Sequence, residues 1–240
     1  MSASTLTEND AQATNHRQVF ETRYRTLPED IRVRSASTVA DPDLSALCFD
    51  PFPPVIQGVL MNPLANLTHA RLIAAHHGNP VGLQSMAARV SFLKDRDVQR
   101  LLLRNNQTPD SVVRGLFDSR PLVDLFRFGQ SHELTDRHRT HASLMLKRRF
   151  TSATPEERVE LIVMTDGRVL TLLSAVAIDE RTAALVCSRG ALSAVLIENL
   201  SRWPGTPRKL IAHMLKQSLV AQSPALKQSL RRHPNCPHTR

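Results

Sequence analysis

The sequence predicts an all-α chain built from short, degenerate helical repeats that stack in series. Composition is the first reason: 41% of the 240 residues are hydrophobic, but there are only 8 glycines and 4% aromatics. The apolar content is therefore Leu, Ala, Val and Ile, which favours neither a Gly-rich nucleotide-binding sheet nor a many-turned β-sandwich. The second reason is a repeated phrase. "DVQRLLLRNNQTP" (97–109) and "ALKQSLRRHPNCP" (225–237) share apolar Val98 and Leu226, apolar Leu102 and Leu230, basic Arg104 and Arg232, and a final Pro109 or Pro237. The third is a recurring helix start, Thr108-Pro109, Thr154-Pro155, Thr206-Pro207 and Ser223-Pro224. A hydroxyl there can cap the next helix, and Pro at the first helical position gives up an amide that would have no partner.

The elements follow in order. Residues 1–15 are polar and expected to be frayed, and 16–237 read as one helical-repeat domain of about fourteen short helices. "DIRVRSAS" (30–37) aligns with "PVIQGVLM" (54–61), Ile31 over Val55. "PVIQGVLMNP" (54–63) aligns in turn with "DVQRLLLRNN" (97–106), placing Val59 over Leu102 and Asn62 over Asn105. Within the latter, Val98, Leu101, Leu102 and Leu103 cover one side of two helical turns, and Asn105-Asn106 ends the helix. The later segments carry stripes of their own: Val112, Val113 and Leu116; Val159, Leu161 and Ile162; Leu210, Ile211, Met214 and Leu215. A longer polar-faced helix near 133–150 breaks the spacing and marks a candidate seam at 119–133. In "TPEERVELIVMTDGRVLTLLSAVAI", Glu157 completes a capping box and Gly167 suits a helix C-terminus, so helix–Gly–helix is expected in place of a hairpin on Asp166-Gly167. Helices of eight to twelve residues are marginal alone, so stacking has to stabilise them.

Charge is unevenly placed. Residues 1–120 hold 13 basic and 12 acidic side chains and 121–198 hold ten of each, whereas the last 42 residues hold eight basic and none acidic. That end can meet an anionic partner. No run approaches the roughly 18 apolar residues of a membrane span and the N-terminus lacks a signal-peptide core, so a cytoplasmic protein without membrane contact is expected. Cys48, Cys187 and Cys236 lie far apart without CxxC spacing, giving neither a disulfide framework nor a metal-ligand set.

The segments "LSALCFDPFPPVIQGVLMNP" (44–63) and "LQSMAARVSFLKDRDVQRLLLRNNQTP" (83–109) resemble the Leu-x-x-Leu-Ala, Asp-Pro, Val-Arg, Asn-Pro, Thr-Pro scheme of bacterial leucine-rich repeat variant and HEAT-like solenoid proteins. The resemblance is clear over 28–117, fainter over 180–237 and weak between. It implies a right-handed α-solenoid, an α-α superhelix in which short helices alternate in two layers. The family's Val-Arg pair survives only as Ile31-Arg32, and the iron–sulfur cluster of some members would need clustered cysteines, so only the architecture carries over.

Chemistry-bearing patterns are few. His132, Asp136, His138 and His141 in "SHELTDRHRTH" could gather a metal, but Arg137 and Arg139 oppose a cation, and a solvated helix face is expected there and at His76-His77. Neither a Gly-x-Ser-x-Gly elbow nor a His-Glu-x-x-His, Walker or Gly-x-Gly-x-x-Gly pattern occurs. Asp95, Asp97 and Asp118 read as caps. The expected function is therefore a non-enzymatic binding or scaffold protein with no cofactor and no metal. It would present a curved polar surface to a protein partner, with Arg202, Arg208, Lys209, Lys216, Lys227, Arg231 and Arg232 as the charged contact. The alternative is sequence-independent binding to the DNA backbone, on the resemblance to HEAT-like alkylpurine DNA glycosylases. Against it, Trp203 and Tyr24 are the single Trp and Tyr, which leaves little for base stacking.

Overall fold

The computed structural model describes residues 3–173 and 176–237, with side chains from residue 11 onward. Among these residues there are seventeen α-helices, one π-helical turn, one 3-10 turn and no strand, so the chain is all-α. It divides into two compact units, Met1–Ser119 with His132–His138, and Arg120–Ser131 with Arg139–Arg240. One continuous domain is the sequence expectation; the chain passes between the units after Ser119, after Ser131 and after His138.

In the first unit α1 (Ala3–Val19) runs into a π-helical turn, Phe20–Tyr24. The expected frayed end is thus helical from Ala3, and its apolar anchors are Ala13, Phe20 and Tyr24, all buried. There follow α2 (Glu29–Ala36), α3 (Asp43–Leu47), α4 (Pro53–Met61), α5 (Leu67–His76), α6 (Pro80–Ala87), α7 (Val90–Leu93), α8 (Arg96–Arg104) and α9 (Asp110–Asp118). Packing skips a neighbour: α2 lies on α4, α4 on α6, and α3 on α5, which in turn packs on α8. The predicted stripes point inward, with Val55, Val59, Val98 and Leu102 fully buried beside Leu44, Ile73, Leu83 and Met86. Each such side chain contributes about 1.5–3 kcal/mol, more than a two-turn helix can supply for itself.

The second unit comprises α10 (Leu122–Gln130), α11 (Asp136–Ser152, from Arg139 onward), α12 (Pro155–Met164), α13 (Glu180–Cys187), α14 (Ala194–Arg202), α15 (Arg208–Leu215), α16 (Ser218–Gln222) and α17 (Pro224–Arg232). Here α10 packs on α12, α12 on α13, α13 on α15, and both α14 and α15 on α17. After α12 the chain turns at Asp166 (φ 48°) and Gly167 (φ 73°), where the Gly167 amide donates to the Ile162 carbonyl at 2.7 Å. A 3-10 turn, Arg168–Thr171, then buries Val169, Leu170 and Leu173. The hairpin is absent as expected, but the apolar run forms this turn and not a second α-helix. Within that run Ser174 and Ala175 lie outside the described residues.

The repeated phrase is a hydrogen-bonding unit. Asn62, closing α4, donates Nδ2 to the carbonyls of Ala36 (3.0 Å) and Val39 (2.9 Å) after α2, while its Oδ1 accepts from the Leu64 amide (2.9 Å). Asn105, closing α8, repeats this on Ala74 and His77 (both 3.0 Å) at the end of α5, with Oδ1 accepting from Gln107. In the C-terminal copy His233 stands in the place of Asn105. Its Nε2 donates to the Trp203 carbonyl at 2.8 Å and its Nδ1 accepts from the Asn235 amide. In each copy one side chain satisfies orphan carbonyls where a helix of the preceding pair ends.

The threonines of the Thr-Pro pairs divide into two kinds. Thr154 caps α12 in a full capping box with Glu157, and Ser223 caps α17. Thr108 and Thr206 do not cap the following helix. Pro109 and Pro207 occupy the cap position themselves, and the buried hydroxyls donate backward to Leu102 (2.6 Å) and Leu200 (2.7 Å). A fully buried hydroxyl needs an acceptor, and the last turn of the preceding helix is the nearest one.

Candidate functional site

The seven basic residues singled out in the sequence all lie on or beside α14, α15 and α17, and all are exposed. Ser193 starts α14 by accepting from the Leu196 amide at 3.1 Å, and Ser223 starts α17 by accepting from Leu226 at 3.4 Å. Helix α14 packs on α17, and Leu196, Ile197, Leu200 and Leu230 on them are buried. On α17 the residues Ala225, Gln228, Ser229 and Arg232 recur at i, i+3, i+4 and i+7, so they share a face. That face meets the end of α14 in a cleft of about 320 Å³, lined by Ser201, Arg202 and Pro204 on one side and by the α17 residues with His233 and Pro234 on the other. Of the seven predicted residues the cleft unites Arg202 and Arg232. Lys227 and Arg231 belong to other faces of α17, and Arg208, Lys209 and Lys216 belong to α15 and its end.

These cations differ from most arginines elsewhere. Arg71 forks onto Asp95 (3.2 and 2.8 Å) and tips the Asp95 carboxyl below the ordinary carboxylate range. Arg104 meets Glu133 at 2.5 Å, Arg137 meets Asp110, and Arg32 meets the buried Asp50 at 2.5 Å. In the second unit Arg158 joins Asp179 (2.7 Å) to the carbonyls of Phe150 and Thr151. Two hydrogen bonds from Thr182, with Arg158 beyond them, outweigh burial and hold Asp179 down at about 2. Such arginines are internal ties. At the basic end only Arg202 is tied, by Glu198 at 2.5 Å one turn back. Arg208, Lys209, Lys216, Lys227, Arg231 and Arg232 have no carboxylate within 4 Å among the described residues.

The cleft interior is polar and already organised. Ser201 Oγ lies 2.8 Å from the Glu198 carbonyl, to which it donates, and 2.7 Å from Ser229 Oγ, the two hydroxyls sharing a hydrogen bond in which either can be the donor. Both ring nitrogens of His233 are engaged, Nε2 donating to the Trp203 carbonyl and Nδ1 accepting from the Asn235 amide, which leaves none free for acid–base work. Trp203 is 6% exposed and offers no stacking surface. Sequence reasoning missed Ser201, Gln228, Ser229 and Glu198. Polar Gln228 and Ser229, set between Ala225 and Arg232 at i, i+3, i+4 and i+7 on α17, are the signal that could have marked the face.

Other constellations are structural. His138, expected on a solvated face, is fully buried and its Nδ1 lies 2.6 Å from the Leu103 carbonyl. His77 is buried as well, at 1% exposure, while His76 stacks on Phe49 at 5.3 Å. Helix stacking over these positions, invisible in one segment, excludes the water expected there. Asp41, Ser45 and His69 look like a catalytic group but are connected otherwise. Ser45 Oγ (2.6 Å), the Ser45 amide (3.1 Å) and His69 Nε2 (3.1 Å) all converge on Asp41 Oδ1, and His69 Nδ1 accepts from the Asn66 amide. The serine donates to the carboxylate and not to the imidazole, so nothing activates it as a nucleophile. Asp95 caps α8 as expected. Burial pushes the Cys48 and Cys187 thiols up, which keeps them protonated. Among the described residues no three of His, Cys, Asp and Glu form a group able to hold a metal ion, and no helix is long and apolar enough to cross a membrane.

Comparison with protein-family models, with curated proteins and with solved structures returned no match for this chain.

Proposed function

We propose that this protein is a non-enzymatic α-solenoid of the leucine-rich repeat variant or HEAT-like kind, a scaffold that engages an acidic protein partner through its basic C-terminal helices. Packing between helices two or three elements apart, and the side chains of Asn62, Asn105 and His233, each of which bonds a helix end to an earlier one, support the repeat architecture. The observation that carries the function is the contrast in charge pairing. Most arginines in the body of each unit are spent on carboxylates and carbonyls, with exceptions such as Arg89, Arg96, Arg114, Arg148, Arg168 and Arg189 scattered along the chain, while six cations without a carboxylate among the described residues gather on α15, α17 and the turn between them. Clustered unpaired cations repel one another, and an anionic partner relieves that repulsion while speeding encounter.

The test is fluorescence anisotropy with labelled oligoglutamate and labelled duplex DNA, read between about 50 and 200 mM salt. Oligoglutamate is expected to bind, and the triple change Arg208→Glu, Lys209→Glu, Arg231→Glu is expected to weaken it at least about tenfold. Tighter binding of DNA, falling by roughly 10³ or more across that salt range, would assign the end to nucleic-acid backbone instead.

A further inference from the structure

The cleft between α14 and α17 has a charge balance and a size that restrict its ligand. Arg202 and Arg232 bring two positive charges and Glu198 removes one, leaving a net charge of +1. A monoanion is neutralised there; a phosphate dianion is left half uncompensated. The cleft volume of about 320 Å³ lies at the lower end of ligand-pocket sizes and takes one or two residues, not a helix. Ser229 Oγ shares one hydrogen bond with Ser201 and, whichever hydroxyl donates in it, keeps at least one lone pair that can accept a further hydrogen bond. The site thus offers guanidinium and Gln228 donors for an anion, beside an acceptor for an N–H.

We infer that this cleft binds a single Asp or Glu side chain of an extended peptide, its carboxylate held by Arg232 and Arg202 and a neighbouring peptide N–H donating to Ser229. The inference rests on the scaffold reading above and names the chemistry of its partner. An amino-acid carboxylate with its own backbone N–H supplies both halves of the match, whereas the sugar-phosphate backbone of DNA has no donor to place on Ser229. Glu198 acts as the selector. By taking up part of the Arg202 fork it lowers the affinity for any anion and sets the preference for a single charge.

The experiment uses the full chain and a labelled peptide with one Glu among Gly and Ser residues, alongside Gln and phosphoserine versions. The Glu peptide should bind more tightly than the Gln peptide, by about tenfold or more. Ala225→Trp fills the cleft without touching charge and should abolish binding, while Ala221→Trp, exposed on α16, should leave it unchanged; circular dichroism confirms that both variants are folded. Arg232→Gln should weaken binding about tenfold. Glu198→Gln should tighten binding and shift preference toward the phosphoserine peptide, an outcome that a purely structural role for Glu198 would not produce. If Ala225→Trp binds as well as the unaltered chain while the Arg208/Lys209/Arg231 reversal abolishes binding, the basic end stands and the cleft is refuted. If neither oligoglutamate nor the Glu peptide binds, both readings fall.

Discussion

Replacing Asn62 with alanine removes three hydrogen bonds and nearly nothing else, because the side chain is 4% exposed and packs between two helix ends. The Ala36 carbonyl it leaves behind is buried, and an unsatisfied buried acceptor costs about 1–3 kcal/mol. The Val39 carbonyl and the Leu64 amide are part-buried, so water recovers much of their loss and each adds about 0.5–1 kcal/mol. The sum is about 2–5 kcal/mol. In urea, with a slope of about 2 kcal/mol/M for a chain of this size, the midpoint of the first unit followed by far-ultraviolet circular dichroism should fall by about 1–2.5 M. Asn62→Asp should cost more, since it removes both donated bonds and places a negative charge against two carbonyls. Asn106→Ala, at an exposed neighbour of the aligned Asn105, should change stability by less than about 0.5 kcal/mol. A midpoint for Asn62→Ala indistinguishable from that of Asn106→Ala would refute the assignment of the repeated asparagine as the tie between successive helix pairs.

Burial pushes His77 down to about 4, with the nearby main chain of Asp50 opposing the shift. The unfolded chain takes up a proton as pH falls below about 6.5 while the folded chain does not, so stability is lost progressively between pH 6.5 and about 4. The loss at this residue reaches about 3 kcal/mol, and a pH series of urea midpoints should flatten in that window for His77→Asn. Gly82→Ala would place a Cβ 2.0 Å from His77 Nε2 and should cost about 2–3 kcal/mol. In a His77→Ala background that cost should largely vanish, and additive effects in the double-mutant cycle would show that the contact is not the cause. Thr154→Ala should lose about 1 kcal/mol through the α12 cap. Thr108→Val should lose a similar amount through the Leu102 carbonyl, and because Thr108 caps nothing, an added change such as Asp110→Ala at the start of α9 should not alter that loss.

Much of the fold was legible because its signals are local. The stripe at Val98, Leu102 and Leu103, the Thr154–Glu157 capping box and the Gly167 stop each depend on residues within one turn of each other, and each is found where expected. The register of Asn62 over Asn105 was also readable, since identical chemistry leaves identical letters; its role was not, because the carbonyls it serves lie 23 to 31 residues away. The histidines were misjudged for the same reason. His77 and His138 sit beside polar residues in sequence, and only the helices stacked over them remove the water. At the basic end Glu198 immediately precedes the acid-free last 42 residues, and its pairing with Arg202 one helical turn on takes up one of that end's charges.

The sequence by itself determined that the chain is helical, where several of its helices begin and stop, which stripes face the core and that positive charge gathers at the C-terminal end. These are decided by propensity, capping and periodicity, which act over three or four residues. Tertiary structure alone decided that Arg202 and Arg232 share a cleft while five other cations do not, that a serine pair forms part of its lining, and that His233 performs the task of an asparagine. The physical reason is range: a hydrogen bond or a shared cleft requires atoms within a few ångströms, and packing, not sequence spacing, sets which distant helices supply them.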